Sequence, residues 1–212
     1  SQGRLIFAAL PVWSMLLAFG LSAWLLPWRK HLTLEGWLNP PPLVTLLALF
    51  LLALSIAAPF VWIQPAYALP DELSEAQIRE IPQRSDVAFG DTMRLLGFNL
   101  ETNTPRPGGR VLVSLYWEAM APTEQDHTVF VHLLDQHELI IAQRDTFPGL
   151  GLLSTTWLDP GYRWVDRYVI PVPPTAYRPN QAQIEVGLFN TETGVRLPAT
   201  AHGESLGDNV RF

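Results

Sequence analysis

Five histidines and no cysteine limit the metal chemistry open to this chain of 212 residues. His127, His132 and His137 recur every five residues. On an extended strand successive side chains alternate, so an odd spacing sends His127 and His132 to opposite faces. Metal ligands must converge, and this spacing spreads them. We therefore assign no metal site, and His132 reads as a structural hydrogen-bonding residue. Two acidic pairs, Asp86 with Asp91 and Glu124 with Asp126, supply the oxygens that calcium takes, but neither sits in a complete loop signature. They read as solvated loop acids. There is no G-x-S-x-G elbow, no P-loop and no H-E-x-x-H. No catalytic residue is assigned and no cofactor is expected.

Sugar contact is the other chemistry these residue types allow. A flat aromatic ring buries the apolar face of a pyranose while nearby polar groups bond its hydroxyls. Tyr116, Phe147, Trp157, Tyr162, Trp164 and Tyr177 are the rings available. The stretch 145–160 reads as a long loop holding Pro148, Gly149 and Gly151. It carries Phe147 and Trp157 beside Asp145 and Asp159, and long loops on a rigid scaffold are frequent binding sites. These four are the candidate contacts for a glycan or acceptor. The competing reading is that most of these rings fill a core, as Trp117 does.

The elements that position this loop are short strands divided by turn residues. Met93–Leu100, Arg110–Trp117, Thr128–Leu134, Leu139–Arg144, Tyr162–Val172, Ala182–Phe189 and Gly194–Pro198 are the candidates, with Asn209–Phe212 a further short strand. Asp135-Gln-His-Glu138 joins two of them as a four-residue hairpin loop, and 190–193 joins the pair beginning at Ala182 and Gly194. Alternation puts Val111, Val113, Leu115, Trp117, Val129, Val131 and Leu133 on the core side. Eight or nine strands over 83–212 with no helical pattern predict an antiparallel β-sandwich, immunoglobulin-like or jelly-roll-like. Residues 67–82 form a linker in which Ser74, Glu75 and the spacing of Leu73, Ile78 and Ile81 allow a short helix, ended by Pro82.

Upstream the composition changes. Leu43–Ile63 is a run of 21 residues without a charge. As a helix it is ~32 Å long, about the thickness of a bilayer's hydrocarbon core. Its 13 Leu, Ile, Val and Phe residues favour insertion by about 4 to 8 kcal/mol. Leu5–Trp28 is a second uncharged span, of 24 residues. Trp24, Trp28, Trp37, Trp62 and Tyr67 lie near the span ends, as an interfacial aromatic belt requires. Small residues recur every four positions at Ser14, Ala18 and Ser22, and at Ala53 and Ala57, a spacing that lets helices approach closely. Residues 1–66 are thus expected to form a transmembrane hairpin, about 5–28 and 43–63. Arg29 and Lys30 place the connection in the cytoplasm and residues 64–212 outside it. Residues 83–212 hold 10 Arg against 15 Asp or Glu. That acidic balance argues against nucleic acid or an anionic membrane surface as a partner of the domain.

The order of several short motifs after the two spans is informative. Gln64-Pro65-Ala66-Tyr67-Ala68 is followed by Phe89-Gly90-Asp91, Leu95-Leu96-Gly97-Phe98 and Leu115-Tyr116-Trp117. Then come Val129-Phe130-Val131-His132-Leu133, Gln143-Arg144-Asp145 with Pro148, Trp157 with Pro160-Gly161, Asp166-Arg167-Tyr168, and Val186-Gly187-Leu188-Phe189 with Arg196-Leu197. This order resembles the C-terminal part of bacterial multi-spanning glycosyltransferases of the dolichyl-phosphate-mannose–protein mannosyltransferase type, over nearly the whole chain. The resemblance implies a transferase of the bacterial plasma membrane that takes sugar from a polyprenyl-phosphate donor at the extracytoplasmic face. It also implies an upstream transmembrane catalytic region, and a glycan or protein acceptor. In such enzymes the catalytic acid lies in the first extracytoplasmic loop, so this stretch is read as a C-terminal piece that carries no catalytic residue. The alternative is a non-enzymatic, membrane-anchored β-sandwich that binds or supports.

The expected topology has a direct readout. A Glu204→Cys variant of the cysteine-free chain should react with a membrane-impermeant thiol reagent in intact cells. Labelling only after lysis would reverse the topology.

Overall fold

The computed structural model describes residues 42–102, 105–177 and 181–212. It divides into two compact units, Ser1–Ala66 and Tyr67–Phe212. The expected first span, 5–28, and the connection after it lie outside the described residues.

In the first unit, helix α1 runs over Pro42–Ala58. It continues through a π-helical turn, Pro59–Ile63, into Gln64–Ala66. Proline explains the widened turn: Pro59 has no N–H to give and its ring crowds the preceding carbonyls. The turn is closed by the Gln64 N–H, which reaches back five residues to the Pro59 carbonyl. Thr45–Ala66 is 22 residues long and apolar enough to cross a membrane. Leu46, Leu49, Phe50, Ile56, Phe60 and Trp62 are all more than half exposed.

The second unit is two antiparallel β-sheets packed as a sandwich. Its strands are β1 Gln83–Phe89, β2 Met93–Leu100, β3 Arg110–Ala119, β4 His127–Asp135, β5 Ile140–Thr146, β6 Arg163–Pro171, β7 Ala182–Asn190, β8 Ala199–Ala201, β9 Glu204–Gly207 and β10 Val210–Arg211. One sheet has the order β6-β3-β2-β1-β8-β9 and the other β10-β7-β4-β5. The inner row of β3 (Val111, Val113, Leu115, Trp117) meets the inner row of β4 (Val129, Val131, Leu133) in one core, and none of these seven is more than 3% exposed. Period-two alternation had placed all seven there. Trp117 lies beside Trp164 of β6, and both are fully enclosed.

The linker docks on this sandwich through a short helix. Helix α2, Glu75–Arg79, begins with a reciprocal capping box between Ser74 and Gln77. Leu73 N–H bonds the Arg163 carbonyl at 2.8 Å, the Tyr162 hydroxyl donates to the Pro70 carbonyl, and Arg163 pairs with Glu75 and Glu118.

Three differences from the sequence reading have physical causes. Strand β1 starts at Gln83, among polar residues, and only Val87 and Phe89 of it are buried. A bulge between Arg84 and Val87 breaks its alternation, so the pattern begins late. The hairpin β8–β9 turns on His202 and Gly203, both at positive φ. Histidine there hides a turn usually marked by Asn-Gly. The stretch from Gly194 contributes a single bridge, Arg196 to Phe189, not a strand.

Removing the Trp117 side chain should cost about 3–5 kcal/mol. Denaturant unfolding of the Trp117→Ala chain in detergent measures this. A loss under ~1 kcal/mol, no more than a surface substitution gives, would mean that Trp117 does not fill the core.

Candidate functional site: the β5–β6 connection and the outer face of the four-stranded sheet

The stretch expected to be one long loop is more ordered than that. Asp145 and Thr146 belong to β5, because the β4–β5 ladder runs on to the pairs Phe130–Asp145 and Val129–Thr146. Pro148–Gly151 forms a single helical turn in which Gly149 and Leu150 take left-handed conformations. Thr155–Trp157 is a turn of 3-10 helix, opened by Ser154 as its cap.

Buried groups fasten this connection. Asp166 on β6 accepts the Gly149 N–H at 3.0 Å. Leu153 and Leu158 enter the core. Thr155, 1% exposed, donates to the Gln125 carbonyl and accepts the His127 N–H at 3.0 Å. Ser154 meets the Asp126 carboxylate. Between these anchors Trp157 N–H bonds the Ser154 carbonyl, and the residue stands 76% exposed. Asp159 is also exposed, in the turn that leads to Tyr162, and Phe147 is half-buried.

Asp166 is itself unusual: a carboxylate on the inner face of β6 between Trp164 and Tyr168. Burial raises its pKa to about 6. The Trp164 indole and the Tyr168 hydroxyl approach the carboxyl and oppose that shift, but neither completes a hydrogen bond by distance and angle, and Oδ1 stays unpaired. Burial likewise holds the Tyr168 hydroxyl far above its ordinary range and lowers the His127 imidazole.

Asp145 points elsewhere, to the outer face of the four-stranded sheet. One row across that face reads Gln143, His132, Glu185, Arg211; the next reads Asp145, Phe130, Gly187. His132 is enclosed, with Nδ1 at 3.3 Å from Glu185 Oε2 and Nε2 at 3.2 Å from Asp145 Oδ1. A carboxylate only accepts and a neutral imidazole has one N–H, so both contacts are hydrogen bonds only when the ring carries two. Glu185, also buried, takes Arg211 at 3.1 Å, and Arg211 holds Glu138 at 2.8 Å, keeping that carboxyl below its ordinary range. Phe130 lies across Gly187, where a Cβ would come within 2.3 Å of its ring. The Arg196 guanidinium rests 4.3 Å from the centre of that ring. Phe130, His132, Asp145, Phe189, Gly194 and Arg196 line a pocket of about 220 Å³ here.

The structure therefore separates the four candidate residues. Trp157 and Asp159 share the exposed end of the β5–β6 connection, Phe147 sits at its base, and Asp145 belongs to the outer-face pocket. Phe189 and Arg196 were not singled out as site residues by sequence. The alternation of Phe130-Val-His132 and of Glu185-Val-Gly187 was visible, but not the register that sets one beside the other across more than fifty residues. Among the described residues no three His, Asp or Glu side chains are grouped to hold a metal ion. His127 and His132 face opposite sides of β4, Asp86 pairs with Arg94, and Asp126 is engaged by Ser154.

The Asp166 carboxyl gives a pH dependence of known sign. Its pKa is higher folded (about 6) than unfolded (about 3.9). The folded state thus holds the proton more tightly, and stability falls as pH rises through that window. The effect is about 3 kcal/mol. Asp166→Asn removes the charge and keeps an acceptor for Gly149. Relative to wild type, this variant should gain about 3 kcal/mol between pH ~4 and ~7.5. A difference that does not change with pH would contradict the assignment.

No family model matches the chain, and no curated protein matches it. Among solved structures the chain is similar to the crystal structure of the C-terminal domain of wzt, with 9% identity over 67% of this chain and 86% of that chain, and a TM-score of 0.41.

Proposed function

We propose that the sandwich is the extracytoplasmic accessory domain of a bacterial membrane glycosyltransferase that uses a polyprenyl-phosphate-linked sugar, and that Trp157 contacts the glycan or acceptor. The observation that carries the contact is the display of Trp157. The residue is 76% exposed, yet the turn that bears it is tied to the sandwich through Thr155, Ser154 and Leu158. An ordered platform loses little side-chain freedom on binding, which is what stacking against a pyranose face needs. The apolar helix Thr45–Ala66 supports the membrane part of the reading, and the motif order described above supports the transferase part.

In this reading residues 5–28 and 43–63 form an antiparallel hairpin in the plasma membrane, and residues 64–212 stand outside. The sandwich takes the immunoglobulin-like or jelly-roll-like form. The catalytic acid is supplied by the transmembrane region upstream, and this chain presents substrate to it.

Glycan binding by the detergent-solubilised chain should be weak, with Kd of roughly 0.1 to several mM, equivalent to about 3–5.5 kcal/mol. Trp157→Ala should weaken it about tenfold or more and leave the unfolding midpoint unchanged. Within the full-length enzyme the same variant should slow sugar transfer. If both glycan binding and transfer are unchanged, the connection is only a connection. If binding is lost and no transfer exists to slow, the anchored binding module is the correct reading.

A further inference from the structure

The outer-face pocket of the four-stranded sheet is a second place with the means to hold a ligand, and none of the residues around Trp157 line it. Its chemistry is mixed. Phe189 gives an apolar wall. The Asp145 side chain is 31% exposed; one oxygen holds His132, and the other has a single neutral partner, the Gln143 amide at 3.2 Å. Arg196 also remains partly open. Its charge is already answered by Asp208 at 3.4 Å and Glu185 at 3.9 Å, and a guanidinium has five N–H donors to distribute.

This balance selects the ligand class. Asp145, Glu185, Asp208 and Glu138 are set against Arg196 and Arg211, so even a doubly protonated His132 leaves no excess positive charge to hold a phosphate or sulfate. A carboxylate able to accept, a guanidinium able to donate and an aromatic wall are what a neutral polyol requires: hydroxyls for the polar pair and a C–H face for the ring. The volume of about 220 Å³ is below the ~300–1,000 Å³ of drug-sized sites and suits one small ring. The walls are also held in advance. Gly187 lets Phe130 lie flat on β7, Phe130 seats Arg196, and His132 ties Asp145 to Glu185.

We propose that this pocket binds a single neutral pyranosyl residue of a glycan. Asp145 accepts its hydroxyls, Arg196 donates to them, Phe189 packs on its C–H face, and His132 is a positioning residue for Asp145. This inference goes beyond the Trp157 contact and does not rest on it.

Saturation-transfer NMR tests it on the whole chain in a phosphocholine detergent free of sugar headgroups. The probes are methyl α-mannopyranoside and methyl β-glucopyranoside, with inorganic phosphate as the anionic comparison. We expect millimolar binding of at least one glycoside and none of phosphate. Asp145→Asn should weaken glycoside binding about tenfold or more, the loss of one charge-assisted hydrogen bond. Phe189→Ala should weaken it too, and in Trp157→Ala the glycoside should still shift the amides of residues 130, 132 and 145. Melting curves establish that each variant is folded, and amide shifts at residues 130, 132 and 145 report the site directly if either variant is not. No glycoside binding, binding indifferent to Asp145→Asn and without those shifts, or a preference for phosphate would each overturn the proposal. Saturation transfer lost in Trp157→Ala, with no glycoside-induced shift at residues 130, 132 and 145 of the unaltered chain, would support the Trp157 contact and overturn this one.

Discussion

The enclosure of Trp117 between the two sheets is the constraint from which the rest of the sandwich follows. Its inner-face neighbours on β3 alternate with Leu112, Tyr116 and Glu118, which are only partly covered, and its partner Trp164 fixes β6 alongside. A slip of one residue would turn both strands inside out. Once the inner rows of β3, β4 and β7 are set, the outer rows have no freedom left. Phe130 and His132 must face away from the core, and Glu185 and Gly187 must lie beside them. The outer-face pocket is thus a consequence of core packing as much as of its own side chains.

The same core sets the terms for the β5–β6 connection. Leu153 and Leu158 enter it, and Asp166 reaches Gly149 from within it. A carboxyl in that place is held toward its neutral form, so the fold accepts a stability cost near neutral pH at the point where the connection is fastened. Thr155 completes the fastening by accepting the N–H of His127 at the start of β4. The result is an exposed indole on a backbone with little freedom.

Much of this was legible in the sequence. The period of two in Val111–Trp117 and Val129–Leu133 located the core, because burial on one face leaves a simple signature. Ser74 before Glu75 marked the start of α2. Proline, glycine and aromatic content marked the β5–β6 connection, within which Trp157 stands exposed. What was hidden depended on register and tertiary cover. Asp145 looked like a loop acid because nothing local shows that Phe130 extends the ladder to it. Nothing local to Arg196 shows its seat on the Phe130 ring. The β8–β9 hairpin was hidden by Ala-Thr-Ala and by a histidine at positive φ, since neither carries the usual strand or turn signal.

Hydroxyl-radical footprinting of the unaltered chain in detergent addresses the central claim, that Trp157 is displayed to meet a glycan. Trp117, fully enclosed, is an internal reference that no surface ligand should change. Pyranose oligosaccharides at saturating concentration should lower oxidation of Trp157 severalfold while Trp117 stays constant. Equal oxidation of Trp157 with and without glycan, at concentrations where binding is measurable, would contradict the account.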